Sequence, residues 1–260
     1  MFEARDLSSP VEAVRDEYAP DVQVLDCARD FETLDPARAE DLGLIVDALE
    51  PASYPSNWLP ADAPTLLARY AGSDLTIGMP GDGSVVWTRQ TEPPLVLVKA
   101  RVEGSPEPFV DFLIAEAFVE LNCGVPEHFL GFFEDEYLAL DAATDLDSND
   151  TYQVAAALYD GWIGLQTREE FADWTDDHPD LFDAWQDAGD RLEDRVSGLS
   201  RAVARGETDF ADATELACAA IKHGLELPAP FAALDTGAYR DHGPGYAVKW
   251  AEKTFDSLAE

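Results

Sequence analysis

Positive charge is the scarce chemical resource in this sequence, so where it clusters is read first. Of 260 residues only 17 are Lys or Arg, and just four of those are lysines, at 99, 222, 249 and 253. Arg89, Lys99 and Arg101 fall on two neighbouring β-rich runs with Trp87 beside them. Arg240, His242, Lys249 and Lys253 fall within 14 residues around Gly243-Pro244-Gly245. Ammonium and guanidinium groups brought together offer charge and N–H donors to carboxylate or phosphate oxygens. On that ground Trp87, Arg89, Lys99, Arg101, Arg240, His242 and Lys249 are the candidate anion-binding residues. The plainer reading pairs each cation with a nearby carboxylate, such as Glu103, Asp241 or Glu252.

Other constellations carry less. Asp145, Asp147 and Asn149 open like a calcium loop of the EF-hand kind, but Asp150 stands where that loop needs glycine and Ala156 where it needs a bidentate Glu. A solvated helix-capping loop is expected there, with no metal site. Gly78-Met79-Pro80-Gly81-Asp82-Gly83 is glycine-rich, yet a phosphate cradle opens into a helix and this run leads into a strand, so a hairpin turn is expected. The sequence has no GxSxG, HExxH or HxH spacing. His128, His178, His223 and His242 read as exposed or helix-end residues, and His223, just before Gly224, as one whose imidazolium a helix C-terminus favours. Cys27, Cys123 and Cys218 are odd in number and far apart, which argues against a disulfide framework or a metal knuckle. A working carboxylate pair would be hidden among 53 acids. No catalytic residue is named and no cofactor is expected.

The elements that must position these residues form an α+β chain that is mostly helical. Short helices separated by prolines fill the first 70 residues: one begins at Ser8-Ser9-Pro10, a second at Asp35-Pro36, a third covers Asp62–Tyr70, and Asp21–Cys27 alternates like a strand. A three-stranded antiparallel meander is expected at about 75–102, from Leu75–Met79, Ser84–Gln90 and Leu95–Val102 across two turn clusters. The third run is apolar on both faces, which predicts cover on both sides. From Gly104 onward the spacing is helical: Pro106–Asn122, Pro126–Leu140, Thr151–Gln166, Pro179–Ala204, Thr208–Ile221 and a last helix after Gly243-Pro244-Gly245. The chain reads as one domain, with an α/β part at 1–104 and a helical part at 105–260.

Composition then bounds the setting. Fifty-three Asp and Glu against 17 Lys and Arg leave a net charge of −36, spread from Glu3 to Glu260 rather than gathered in a tail. At molar salt the Debye length falls to about 3 Å and most of that self-repulsion is screened. The carboxylate coat and the shortage of lysine therefore predict a protein that works in brine, in a cell with molar potassium. The first residues carry no secretory pattern and no run of 18 apolar residues occurs, so a reduced cytoplasm is expected and no membrane partner. Too few cations stand together to neutralise many phosphates, so direct nucleic-acid binding is not expected.

The spread acids, with YAGSDLTIGMPGDGSVVWTRQ at 70–90 and VEGSPEPFVDFLIAEAF at 102–118, resemble an uncharacterised family of haloarchaeal proteins over nearly the whole chain. That resemblance implies no activity or ligand. Two functions remain. The first is a non-enzymatic regulatory protein that docks a protein partner or itself through Phe129, Phe132, Phe133 and Tyr137, or through the near-heptad helix Leu181–Val203. The second is an enzyme or sensor for a small anionic ligand near Arg89, Lys99 and Arg101.

Overall fold

A computed structural model describes residues 2–34 and 36–259; Asp35, read as opening the second helix, lies outside the described residues. In chain order the elements are β1 (Phe2–Ala4), α1 (Ser9–Tyr18), β2 (Gln23–Cys27), α2 (Pro36–Ala39), β3 (Ala48–Leu49), α3 (Thr65–Ala71), β4 (Val85–Thr88), β5 (Thr91–Glu92), β6 (Leu95–Val98), α4 (Glu107–Asn122), α5 (Phe129–Phe133), α6 (Glu136–Ala143), α7 (Ser148–Asp177), α8 (Pro179–Ser197), α9 (Leu199–Ala204), α10 (Phe210–Ile221) and α11 (Gly237–Ala259). The residues gather into two compact units. The first holds Met1–Tyr54, Arg69–Glu127 and Trp174–Ala184; the second holds Pro55–Ala68, His128–Asp173 and Trp185–Glu260. Residues 105–127, expected with the helical part, lie in the first unit.

The first unit is built on a four-stranded mixed sheet in the order β1-β2-β6-β4. The antiparallel β4–β6 pair matches the last two runs of the expected meander, with Val86 opposite Leu97 and Val85 opposite Val98. The other neighbour of β6 is β2, which runs parallel to it with Leu25 opposite Leu97. Leu75–Met79 is not a strand. Its polar backbone is satisfied singly, the Leu34 N–H donating to the Ile77 carbonyl and the Gln90 side chain to the Thr76 carbonyl. Such one-off bonds can replace a ladder at no loss of pairing.

All four residues of β6 are buried, as expected of a run apolar on both faces. Leu95 and Leu97 join Leu25, Cys27, Leu34, Leu42, Leu75, Ile77 and Val86 in one cluster on one side of the sheet. On the other side α4 lies against β4 and β6 and is itself covered by α1. A Ser8 hydroxyl bond to Asp111, 2.7 Å, ties the start of α1 to α4.

The second unit is helical. There α7 and the end of α10 pack tightly at Gly164, where a side chain would meet Lys222 Cβ at 2.9 Å and its backbone nitrogen at 3.0 Å, leaving no space for a methyl group. The helix expected at Pro126–Leu140 is two helices, because Glu134 takes φ +52° and breaks the run between α5 and α6. Pro179–Ala204 is likewise divided at Gly198, between α8 and α9. Asp147 caps α7, its carboxylate accepting from the Asn149 and Asp150 amides at 2.9 and 3.0 Å, which is the role expected for that acidic loop.

Two histidines depart from their reading. His128 is buried, and its Nδ1 accepts the Leu130 amide as the N-cap of α5 while its ring stacks on Phe129 at 4.4 Å. Burial pushes its pKa down to about 3. His223 does sit at the end of α10, but its ring stacks on Trp185 at 5.8 Å and burial pushes its pKa down to about 4. Desolvation outweighs the helix dipole there, and the neutral ring wins.

A pH prediction follows for His128. Its folded value lies below the ordinary value of about 6.5, so the stability it confers is complete above that and is lost as pH falls toward 3. Between pH 7 and pH 5 the loss is about 2 kcal/mol, by ~1.4 kcal/mol per unit. His128→Asn keeps an N-capping oxygen and removes the titration. Denaturant unfolding in molar KCl at the two pH values should show its stability falling less than that of wild type by about this amount.

Candidate functional site

The residues with unusual chemistry in the first unit converge on the segment Thr76–Gly83, which is fastened from two sides. On one side stands Glu127. One of its oxygens accepts the Thr88 hydroxyl at 2.7 Å and the Gln90 amide at 2.6 Å; the other accepts the Arg89 backbone N–H at 2.8 Å. Gln90 extends the clamp, donating to the Thr76 carbonyl at 2.8 Å and accepting from the Ala52 amide at 2.9 Å. Burial holds the Glu127 carboxyl above its ordinary range, against the pull of these donors. The arrangement is a structural tie between the end of β4 and the segment after α4. Glu127→Gln turns one accepting oxygen into a donor that faces another donor, Arg89 N–H or the Gln90 amide. A loss of about 1–3 kcal/mol is expected, read from urea unfolding in molar KCl.

On the other side stands Lys99. It follows β6, and its backbone N–H donates to the Ser84 carbonyl at 2.8 Å, continuing the β4–β6 ladder by one residue. That register brings the Gly78–Gly83 run, just ahead of β4, to Lys99. The side chain is 0% exposed, and its ammonium lies 5.1 Å from the centre of the Phe31 ring with no hydrogen-bond acceptor among the described residues. Burial lowers its pKa, with Asp82 opposing the shift first, Arg101 adding to it, and Glu32 and Asp30 opposing it more weakly.

Asp82 is the acid whose charge acts on it most strongly. Its Oδ2 accepts the Met79 amide at 2.6 Å, and burial raises its carboxyl to about 6 although Lys99 pulls the other way. Gly78 makes the closure possible. At φ +74° a side chain there would stand 2.8 Å from the Glu32 carbonyl oxygen and 3.2 Å from the Phe31 ring. The Gly78 carbonyl accepts the Tyr70 hydroxyl, which also lies 3.3 Å from Thr33 Oγ1. Cys27, nearby on β2, is no nucleophile, since burial pushes its thiol up to about 12.

The sequence-level candidates separate clearly. Arg89 spends its guanidinium on the Val125 and Leu121 carbonyls at 2.6 and 2.5 Å and stacks on Trp87 at 4.7 Å. It thereby satisfies carbonyls at the C-terminal end of α4, where a cation is favoured. Trp87 Nε1 donates to Glu120 at 2.7 Å. Arg101 holds Asp30 at 2.7 Å, Glu32 at 2.6 Å and the Phe31 carbonyl at 3.0 Å. Arg240 lies beside Asp241 and Glu169, and His242 and Lys249 are exposed on α11 in the second unit. Pairing is thus the outcome for Arg89, Arg101 and Arg240, and among the candidates Arg89, Lys99 and Arg101 it is Lys99 that has no acceptor among the described residues.

The aromatic residues expected to dock a partner are internal. Phe129, Phe133 and Tyr137 are 0% exposed and Phe132 7%. Phe129 meets Tyr152 at 5.3 Å, and Phe132 meets Trp162 at 4.8 Å. Folding two short helices in place of one long one turns every ring inward, so these four residues form core and leave no docking face. The apolar side of α8 is covered too, at Leu181, Ala184 and Val196. Large apolar side chains exposed among the described residues are Leu44, Ile45, Leu138 and Leu258.

Sequence reasoning did not single out Glu127, Asp82 or Phe31. Asp82 was in view within the glycine-rich run, and extending the 85–98 pairing by one residue would have carried that run to Lys99.

Fold and site together define an α+β protein with a mixed sheet, whose first unit encloses a lysine and a carboxylic acid under a glycine-rich segment. The chain belongs to a family of unknown function, DUF7089, whose model matches residues 1–258. No curated protein and no solved structure matched the chain. No described helix is long and apolar enough to cross a membrane.

Proposed function

We propose that this is a cytoplasmic protein of a halophilic archaeon that binds a small anionic ligand, as sensor or enzyme, with Lys99 as the charge that holds it. The observation that carries this reading is the Lys99 ammonium, fully enclosed and without an acceptor among the described residues. An unsatisfied buried charge costs several kcal/mol, and ligand oxygens would supply what the fold withholds. A regulatory role through protein docking has less behind it, because the aromatic surface it required is core. Brine adaptation rests on the net charge of −36.

The test is a thermal-shift screen in molar KCl with phosphate, small carboxylates and nucleotides, run in parallel on Lys99→Met. At least one anion class should raise the wild-type melting temperature and leave the variant where it was. No shift with any anion, or equal shifts in both proteins, would end this reading.

A further inference from the structure

An ammonium that only binds an anion is better served by hydrogen-bonded carboxylate neighbours and a solvated approach. Lys99 has neither. Its amine stands against the face of Phe31 with no hydrogen-bond partner among the described residues, and Phe31 and Asp82 Oδ2 close on one point, 3.2 and 3.4 Å from where a side chain on Gly78 would stand. Every other cation at the sheet is tied down, Arg89 to carbonyls and Arg101 to Asp30 and Glu32. A primary amine held by no hydrogen bond, an apolar wall and an acid close by are what carbonyl condensation requires.

We infer that Lys99 condenses with the carbonyl group of a small 2-oxo acid to form an imine, with Asp82 as the group that moves the protons. This rests on the anion-site reading above and names the ligand class for it. The neutral amine nitrogen attacks the carbonyl carbon, and the carbonyl oxygen takes the first of the two amine protons, relayed by Asp82, to become the hydroxyl of a carbinolamine. The Asp82 carboxyl then protonates that hydroxyl, water leaves, and the Asp82 carboxylate recovers the proton lost from nitrogen. The balance is carbonyl plus amine giving imine plus water, with no oxidant or reductant consumed. The Phe31 ring that stands over the amine is itself only partly buried, so the cover on the amine reaches the surface.

The experiment uses the whole protein in molar KCl with glyoxylate as the probe and sodium cyanoborohydride to trap the imine, followed by peptide mass spectrometry. Only four lysines compete, Lys99, Lys222, Lys249 and Lys253, so the site of carboxymethylation is unambiguous. Lys99 should be modified at least about tenfold faster than the exposed Lys249 and Lys253 despite its burial. Asp82→Asn should slow the reaction about tenfold while leaving the melting shift produced by glycolate, which has no carbonyl, in place. Modification confined to the exposed lysines overturns the inference. If glycolate and glyoxylate both raise the melting temperature and Lys99 stays unmodified, imine formation is wrong and the anion site stands. If neither shifts the melt and Lys99 is unmodified, both are wrong.

Discussion

Dialysed from 3 M KCl to about 10 mM salt, the protein should lose its cooperative melt and unfold, and returning the salt should restore the fold. The 36 uncompensated negative charges share an accessible surface of 12434 Å², about 350 Å² each, so neighbours lie about 19 Å apart. Each such pair repels by about 0.2 kcal/mol in unscreened water. With roughly six neighbours per charge, and a Debye length near 30 Å at 0.01 M, nearest neighbours alone sum to about 12 kcal/mol. At 1 M the Debye length is about 3 Å and the same sum is far below 1 kcal/mol. The expanded chain keeps part of the repulsion, so roughly half counts against the fold. About 6 kcal/mol is still comparable with the 5–15 kcal/mol that holds an ordinary domain together. Circular dichroism melts across a KCl series measure it. A melting temperature unchanged between 10 mM and 3 M would mean the acids are not an adaptation to salt.

What the sequence made legible follows from how local each signal is. Leu95–Val98 announced a strand covered on both faces by its own residues, and α4 and α10 announced themselves by spacing. The parallel partner of β6 did not, because Gln23–Cys27 carries no mark of pairing with residues 72 positions away. Leu75–Met79 had the composition of a strand, yet its groups bond to Leu34 and to the Gln90 side chain, a choice made by tertiary neighbours. Glu134 at φ +52° broke a well-patterned helix at a residue type that gives no warning. In the site, Lys99 was visible through scarcity. Asp82 and Glu127 were invisible through abundance, two carboxylates among 53 acids, and only burial distinguishes them.

Lys99→Met should stabilise the protein at pH 5 by about 1–3 kcal/mol and abolish every anion-dependent shift. The native side chain keeps a charge out of water with no acceptor for its hydrogens among the described residues, and exchanging such a group for an apolar one of similar length is commonly neutral or stabilising. A thioether can pack on the Phe31 ring in its place. Two terms oppose the gain. The cation–ring contact, worth about 0.5–2 kcal/mol, is lost. Asp82 also loses the positive neighbour that lowers its pKa, so its value rises above about 6. That second term sets the pH dependence. At pH 5 Asp82 carries its proton in either protein and the substitution keeps its full advantage. Toward pH 8 the wild type ionises Asp82 beside Lys99, the variant must ionise it alone or hold the proton, and the advantage shrinks. Unfolding followed at the two pH values in molar KCl separates the cases: a melting temperature higher than wild type by about 2–10 °C at pH 5 marks a side chain kept at a cost to the fold. A variant less stable than wild type at pH 5 would make Lys99 a structural partner of Asp82, and the ligand site would go with it.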